Sequence, residues 1–232
     1  MNPLSALAAK HQQGNHPVFA PGPFLPILLI NERGLQFNRI LKHAEDMAAA
    51  ALLNFEIGFE TTVVPYGMNV EAEILGYEVS YHEEVEGIPV YPTIGTRWIK
   101  SAGDFDLPDD VAVAGRMPEI LKAIFLIKKK SRGIGALGVF VSGPFTLAGQ
   151  VLDPDRMFVM VLKDPDAMKT ILQKLTVLII MMRNAYVRAG ADYVVIEEGG
   201  ATRLGLPACK AWPVVPMPPW WTIAAASGNS FE

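Results

Sequence analysis

One short stretch of this chain, Pro65-Tyr66-Gly67-Met68-Asn69-Val70-Glu71-Ala72-Glu73, sets a phenol, an amide and two carboxylates close together. Such groups can orient a substrate or carry a proton. On a helix Glu71 and Glu73 lie about 200° apart, so there they do not form a simple acid/base pair; a turn leaves room for one of them to point inward. A second stretch, Ser142-Gly143-Pro144-Phe145-Thr146-Leu147-Ala148-Gly149, reads as a rigid, partly aromatic turn between two glycines. A backbone bare of side chain lets a flat ligand come close, although glycine-proline turns are also ordinary connectors. The spacing is not that of a phosphate-cradling GxxxxGK[ST] loop. A third group, Glu197 and Glu198, stands just ahead of Gly199 and Gly200; it reads either as a ligand-positioning pair or as a solvated one.

Each stretch follows a short apolar burst: Thr61 to Pro65, Val139 to Ser142 and Tyr193 to Ile196. A helix-like segment ending in glycine precedes each burst. Residues 43–58 carry Glu45 and Asp46 in a first turn and Gly58 as a stop. Residues 117–130 repeat apolar positions at Ile120, Leu121, Ile124 and Ile127 behind Pro118. Residues 164–189 begin with the capping pair Asp164-Pro165 and stop at Gly190. Repeated helix-to-strand units imply an α/β fold with a parallel sheet, whose ligands gather where strands end.

Around these units the signal weakens. Residues 1–26 carry Pro17, Pro21, Pro23 and Pro26 and read as an irregular arm leading to a short strand-like run, Ile27 to Ile30. Residues 76–111 suggest short extended pieces. Residues 202–232 read as a Trp/Pro-rich tail with neither helical nor strand period.

The chain has 232 residues, half of them apolar, enough for a sizeable core. A formal charge of −4 offers no polyanion-binding surface, and Lys128 to Lys130 reads as cations complementing a helix end, so no nucleic-acid partner is expected. The longest apolar run, Leu175 to Met182, is too short to cross a bilayer, and no leader pattern opens the chain. A single cysteine, Cys209, fits a reducing compartment, and a cytoplasmic location is expected. His11, His16, His43 and His82 show no metal-ligand spacing. Cys209 has only Lys210 as a nearby cation to activate it.

The segments GFETTVVPYGMNVEAEILG (58–76), SGPFTLAGQ (142–150), DPDAMKTILQKLT (164–176) and AGADYVVIEEGGA (189–201) together resemble the uroporphyrinogen decarboxylase superfamily, and within it the methylcobalamin:coenzyme M methyltransferase branch. The resemblance covers residues 25–201. It implies a (β/α)8 TIM-type barrel with its site at the C-terminal mouth. Only part of such a barrel fits in residues 27–201, so a partial barrel is expected, truncated after about residue 201. Its open strand edge would favour self-association.

By the resemblance, Glu71 and Glu197 are the catalytic candidates. Tyr66, Asn69, Gly143 and Phe145 are the substrate-binding ones, with Phe145 as an apolar wall. In that branch a zinc-activated thiol takes a methyl group from a corrinoid carried by a partner protein. The zinc ligands come from a His-x-Cys motif and a further cysteine in the second half of the barrel. This chain has no histidine after His82 and only Cys209, so no metal ligand is assigned within it. Cofactor-free tetrapyrrole decarboxylation is the alternative activity, although Arg33 and Arg39 do not stand in the arginine-bearing motif that grips its substrate. A non-catalytic remnant acting through assembly is the third reading.

Overall fold

A computed structural model describes residues 3–20, 22–82, 90–96, 99–198 and 222–225. Cys209, Gly199, Gly200, Ala201 and most of the 202–232 tail lie outside the described residues. Strands β1 (Thr61–Val64), β4 (Ala136–Ser142) and β5 (Tyr193–Glu197) pair in parallel in the order β1-β4-β5. Among the described residues the sheet is open, with no closed barrel. A short antiparallel hairpin, β2 (Val79–Ser80) with β3 (Thr93–Ile94), stands apart.

The helices follow the sequence signals closely. Helix α4 (Ala44–Glu56) stops ahead of Gly58 at φ 97°. Helix α6 (Met117–Ser131) begins at Met117-Pro118 and ends on Arg132 in the left-handed region. Helix α9 (Pro165–Ala189) starts with Asp164 accepting from the Ala167 amide at 3.2 Å and closes on Gly190 at φ 115°. They pack their apolar faces on the sheet in one large core that includes Met47, Leu137, Val139, Val141, Ile124, Leu175 and Met182.

Four expectations are corrected. Residues 1–26 are not an irregular arm throughout: α1 (Pro3–Gln12) is a helix, with the prolines beyond its end. Leu4 and Leu7 hold it by packing on the sheet, a long-range contact that local sequence does not announce. Residues 27–30 are not a strand but the first turn of α2 (Ile27–Glu32), which follows Pro26 and buries Ile30. The short helix α3 (Phe37–Lys42) comes after it. The stretch after Ser142 is no turn. It is helix α7 (Pro144–Val151), with Gly143 as its N-cap, followed by α8 (Pro154–Lys163). In the tail, β6 (Thr222–Ala225) pairs antiparallel with β5, because neighbouring strand backbone supplies the partner whatever the side-chain period.

Candidate functional site

The two faces of the sheet are distinct. Val64, Leu137, Val139, Val141 and Val194 belong to the core under the helices, whereas Val63, Ala136, Phe140, Tyr193 and Val195 form a second, smaller apolar cluster. Alternation along a strand puts Ser142, two residues beyond Phe140, and Glu197, two beyond Val195, on this second face. They are also register partners, side by side at the carboxyl end of the sheet. Oε2 of Glu197 is buried and makes no hydrogen bond among the described residues; the same holds for Oγ of Ser142. Buried polar atoms are normally paired. Two neighbouring orphans at the rim of a parallel sheet are the strongest mark of a ligand position in the structure.

Below them the face is apolar and close-fitting. The Tyr193 ring lies across Gly138, where a Cβ would come within 2.4 Å of its Cζ. The floor continues through the apolar side chains of Val63, Phe140 and Val195.

Glu71 supports the rim from behind. Strand β1 ends at Val64, level with Val139, while β4 continues to Ser142, leaving the Ser142 amide without a strand partner. The short helix α5 (Val70–Ile74) fills the gap: Glu71 Oε1 accepts from Ser142 N at 2.7 Å. The Ser142 hydroxyl lies near the same carboxyl without a well-formed bond to it. Glu71 is 2% exposed, and this burial pushes its carboxyl up to about 7 against the pull of the Ser142 amide and the Arg116 charge. Glu73 turns the other way, as the helical spacing requires. Its Oε2 takes Arg116 Nε at 2.7 Å, and its Oε1 accepts from the Tyr81 hydroxyl. Arg116 also donates to the Leu41 carbonyl and sits 5.4 Å from the Tyr81 ring, while its Nη2 is buried without a partner among the described residues. The fully buried Tyr186 feels the charges of Glu71, Arg116 and Glu73, and its hydroxyl likewise has no partner among the described residues.

Glu198 fixes the other side. Its carboxylate accepts from Phe145 N at 3.0 Å and Thr146 N at 2.7 Å, and from the Thr146 hydroxyl at 2.9 Å, satisfying free amides of α7. Burial, with the Glu197 charge beside it, holds its carboxyl above the ordinary carboxylate value although these donors pull the other way. A Cβ at Gly143 would fall 2.2 Å from Glu198 Oε2 and 3.0 Å from the Glu197 carbonyl, so a larger residue there would displace the Glu198 carboxylate from the α7 amides. The Gly143 amide donates to the Glu197 carbonyl at 2.6 Å.

The remaining candidates take different places. Tyr66 is fully covered in the helix-side core, its phenol beside Thr62 and its pKa raised by burial. Phe145 also belongs to that core, 8% exposed. Asn69 is buried and donates its amide to the Pro92 carbonyl at 3.0 Å, tying the loop after β1 to the residues before β3. Glu71, Gly143 and Glu197 thus meet at the rim, while Tyr66, Asn69 and Phe145 brace it. Sequence reasoning passed over Ser142 and Arg116. For Ser142 a signal existed, as the last residue of an apolar burst two positions past Phe140. For Arg116 none did.

Among the described residues no three His, Cys, Asp or Glu side chains converge on a point where a metal could sit. The donor set at the rim, one serine hydroxyl, the unpaired carboxylate oxygen of Glu197, and Glu71 and Glu198 already engaged by backbone amides, lacks the nitrogen and sulfur ligands that zinc favours. No helix among the described residues is long and apolar enough to cross a membrane.

Parallel strands backed by helices, with polar residues collected at their carboxyl ends, define an α/β protein built on a parallel sheet. The sequence profile of the uroporphyrinogen decarboxylase (URO-D) family matches residues 2–212, and the chain belongs to that family. It is 26% identical over 172 residues to the methylcobamide:CoM methyltransferase MtaA of Methanosarcina barkeri, covering 73% of this chain and 50% of that protein. It is 23% identical over 157 residues to a methylated-thiol--coenzyme M methyltransferase of Methanosarcina mazei, covering 67% of this chain and 41% of that one. A solved methyltransferase from Methanosarcina mazei superimposes with a TM-score of 0.73 at 25% identity, over 84% of this chain and 58% of that chain. The chain spans about half the length of the curated relatives it matches.

Proposed function

We propose that this chain forms the acceptor-binding wall of a methyltransferase barrel, moving a methyl group from a methylated corrinoid, carried by a partner protein, to a thiol. The single observation that carries the reading is the buried Glu197 Oε2, unpaired at the rim beside Ser142 Oγ. Methylation of a thiol forms an S–C bond, breaks the S–H bond and breaks the bond that held the methyl group. The proton needs an acceptor, and Glu197 is the available carboxylate: Glu71 holds the Ser142 amide and Glu198 holds α7. In this reading Glu197 acts as general base, Ser142 orients the acceptor, and Glu71 and Gly143 are positioning residues. The names of the relatives supply the reaction class. No step is routed through zinc, for which the described residues offer no site.

The decarboxylase reading has less support. Arg33 pairs with Glu56 at 2.7 Å and Arg39 with Asp46 at 2.8 Å, both arginines on the surface and outside the arginine-bearing motif that the decarboxylases use. Demethylation of methylcobalamin in the presence of coenzyme M, followed by absorbance, tests the proposal. The full chain is expected to transfer methyl groups, and Glu197→Gln to lose about 100-fold in kcat/KM. Conversion of uroporphyrinogen to coproporphyrinogen by the same preparation, without methyl transfer, would overturn it.

A further inference from the structure

Helix α8 is apolar on two opposite sides. Met157, Met160 and Val161 are buried against the body of the protein, with α7 and α9 as neighbours. Phe158, Val159 and Leu162 point the other way, and Leu162 is 82% exposed. At 100° per residue these three form one continuous stripe, with Asp155 on its axis one turn before Phe158 and Val159. Arg156 and Lys163 form a polar sector on one side only, so apolar residues stand on the outward side as well as the buried one, and nothing among the described residues covers this outer stripe.

Charge says what does. The stripe is acidic at its start, Asp155, and basic beyond its end, Lys163. Two such helices side by side in the same direction would set Asp155 against Asp155 and Lys163 against Lys163. Crossed antiparallel about a two-fold axis near Val159, they bring Asp155 level with the partner's Lys163 at both ends, while the Phe158, Val159 and Leu162 stripes meet between. A two-fold contact uses one patch twice, and this patch is complementary to itself only in that orientation. We propose that α8 is the contact through which two copies of this chain associate, by antiparallel packing of their outer stripes. The contact is small, centred on three side chains from each copy, so the dimer is weak and depends on concentration. It is separate from the open sheet edge and independent of the methyl-transfer reading.

Sedimentation velocity of the full chain over rising concentration tests this, with thermal melts to confirm that each surface variant is folded. The weight-average mass is expected to climb from 25.3 kDa toward twice that value. Leu162→Lys is expected to hold it at one chain. Asp155→Lys and Lys163→Asp should each weaken association about tenfold, and the double swap should restore it, because two ion pairs are inverted and then re-formed. A mass that stays at 25.3 kDa throughout, association untouched by Leu162→Lys, or a double swap as weak as either single one would each overturn the proposal.

Discussion

Glu71 makes the stability of this protein depend on pH in an unusual direction. Its carboxyl is 2% exposed and is pushed from an ordinary 4.5 to about 7, burial outweighing the Ser142 amide and Arg116. Below 4.5 the group is protonated in both folded and unfolded chains and contributes no difference. Between 4.5 and 7 the folded chain keeps a proton that the unfolded chain has released, so stability falls as pH rises, and the loss is complete above 7. Each pH unit in that window is worth about 1.4 kcal/mol, which sums to about 3 kcal/mol. Glu71→Gln retains an oxygen to accept from Ser142 N and cannot ionise. Urea unfolding of the two proteins at pH 4 and pH 8 measures the effect. The variant should match the wild type within about 1 kcal/mol at the lower pH and exceed it by about 3 kcal/mol at the higher. An equal difference at both values would show that Glu71 is charged in the folded state at neutral pH and would refute the reasoning.

Gly143→Ala forces a Cβ to 2.2 Å from Glu198 Oε2 and 2.7 Å from its Cδ; a loss of about 1–3 kcal/mol in thermal or urea unfolding is expected, and a neutral result would mean that Glu198 does not hold the α7 amides. Tyr186→Phe removes a buried hydroxyl that has no partner among the described residues, so unfolding should be unchanged or shifted up by about 1 kcal/mol, whereas a loss above about 2 kcal/mol would reveal a hydrogen bond made there.

The parallel sheet was legible because each strand is a short apolar run ending in polar residues, and because α4, α6 and α9 carry their own stops at or near Gly58, Gly133 and Gly190. Glu71 was legible as a carboxylate following a strand, and its spacing from Glu73 did predict that the two point apart. What decides the rest is distant in sequence. Gly143-Pro144 suits a turn and a helix start equally, and the carboxylate that fixes the helix is Glu198, 53 residues from Phe145. Arg116 reaches Glu73 across 43 residues, and no local pattern reports a pair of that kind. Helix α1 is short and depends on Leu4 and Leu7 finding the sheet. The free oxygen of Glu197 cannot be told from the engaged oxygens of Glu198 in sequence, since the two residues are adjacent and identical in type.

The central claim is that Ser142 and Glu197 form one ligand position at the carboxyl rim of the parallel strands. Titration calorimetry with coenzyme M on the wild type, Ser142→Ala and Glu197→Gln tests it most directly. The account predicts binding to the wild type and a loss of about 5–30-fold in affinity for each variant, one hydrogen bond to a buried group in each case. Affinity unchanged in both variants would place the ligand elsewhere and contradict it.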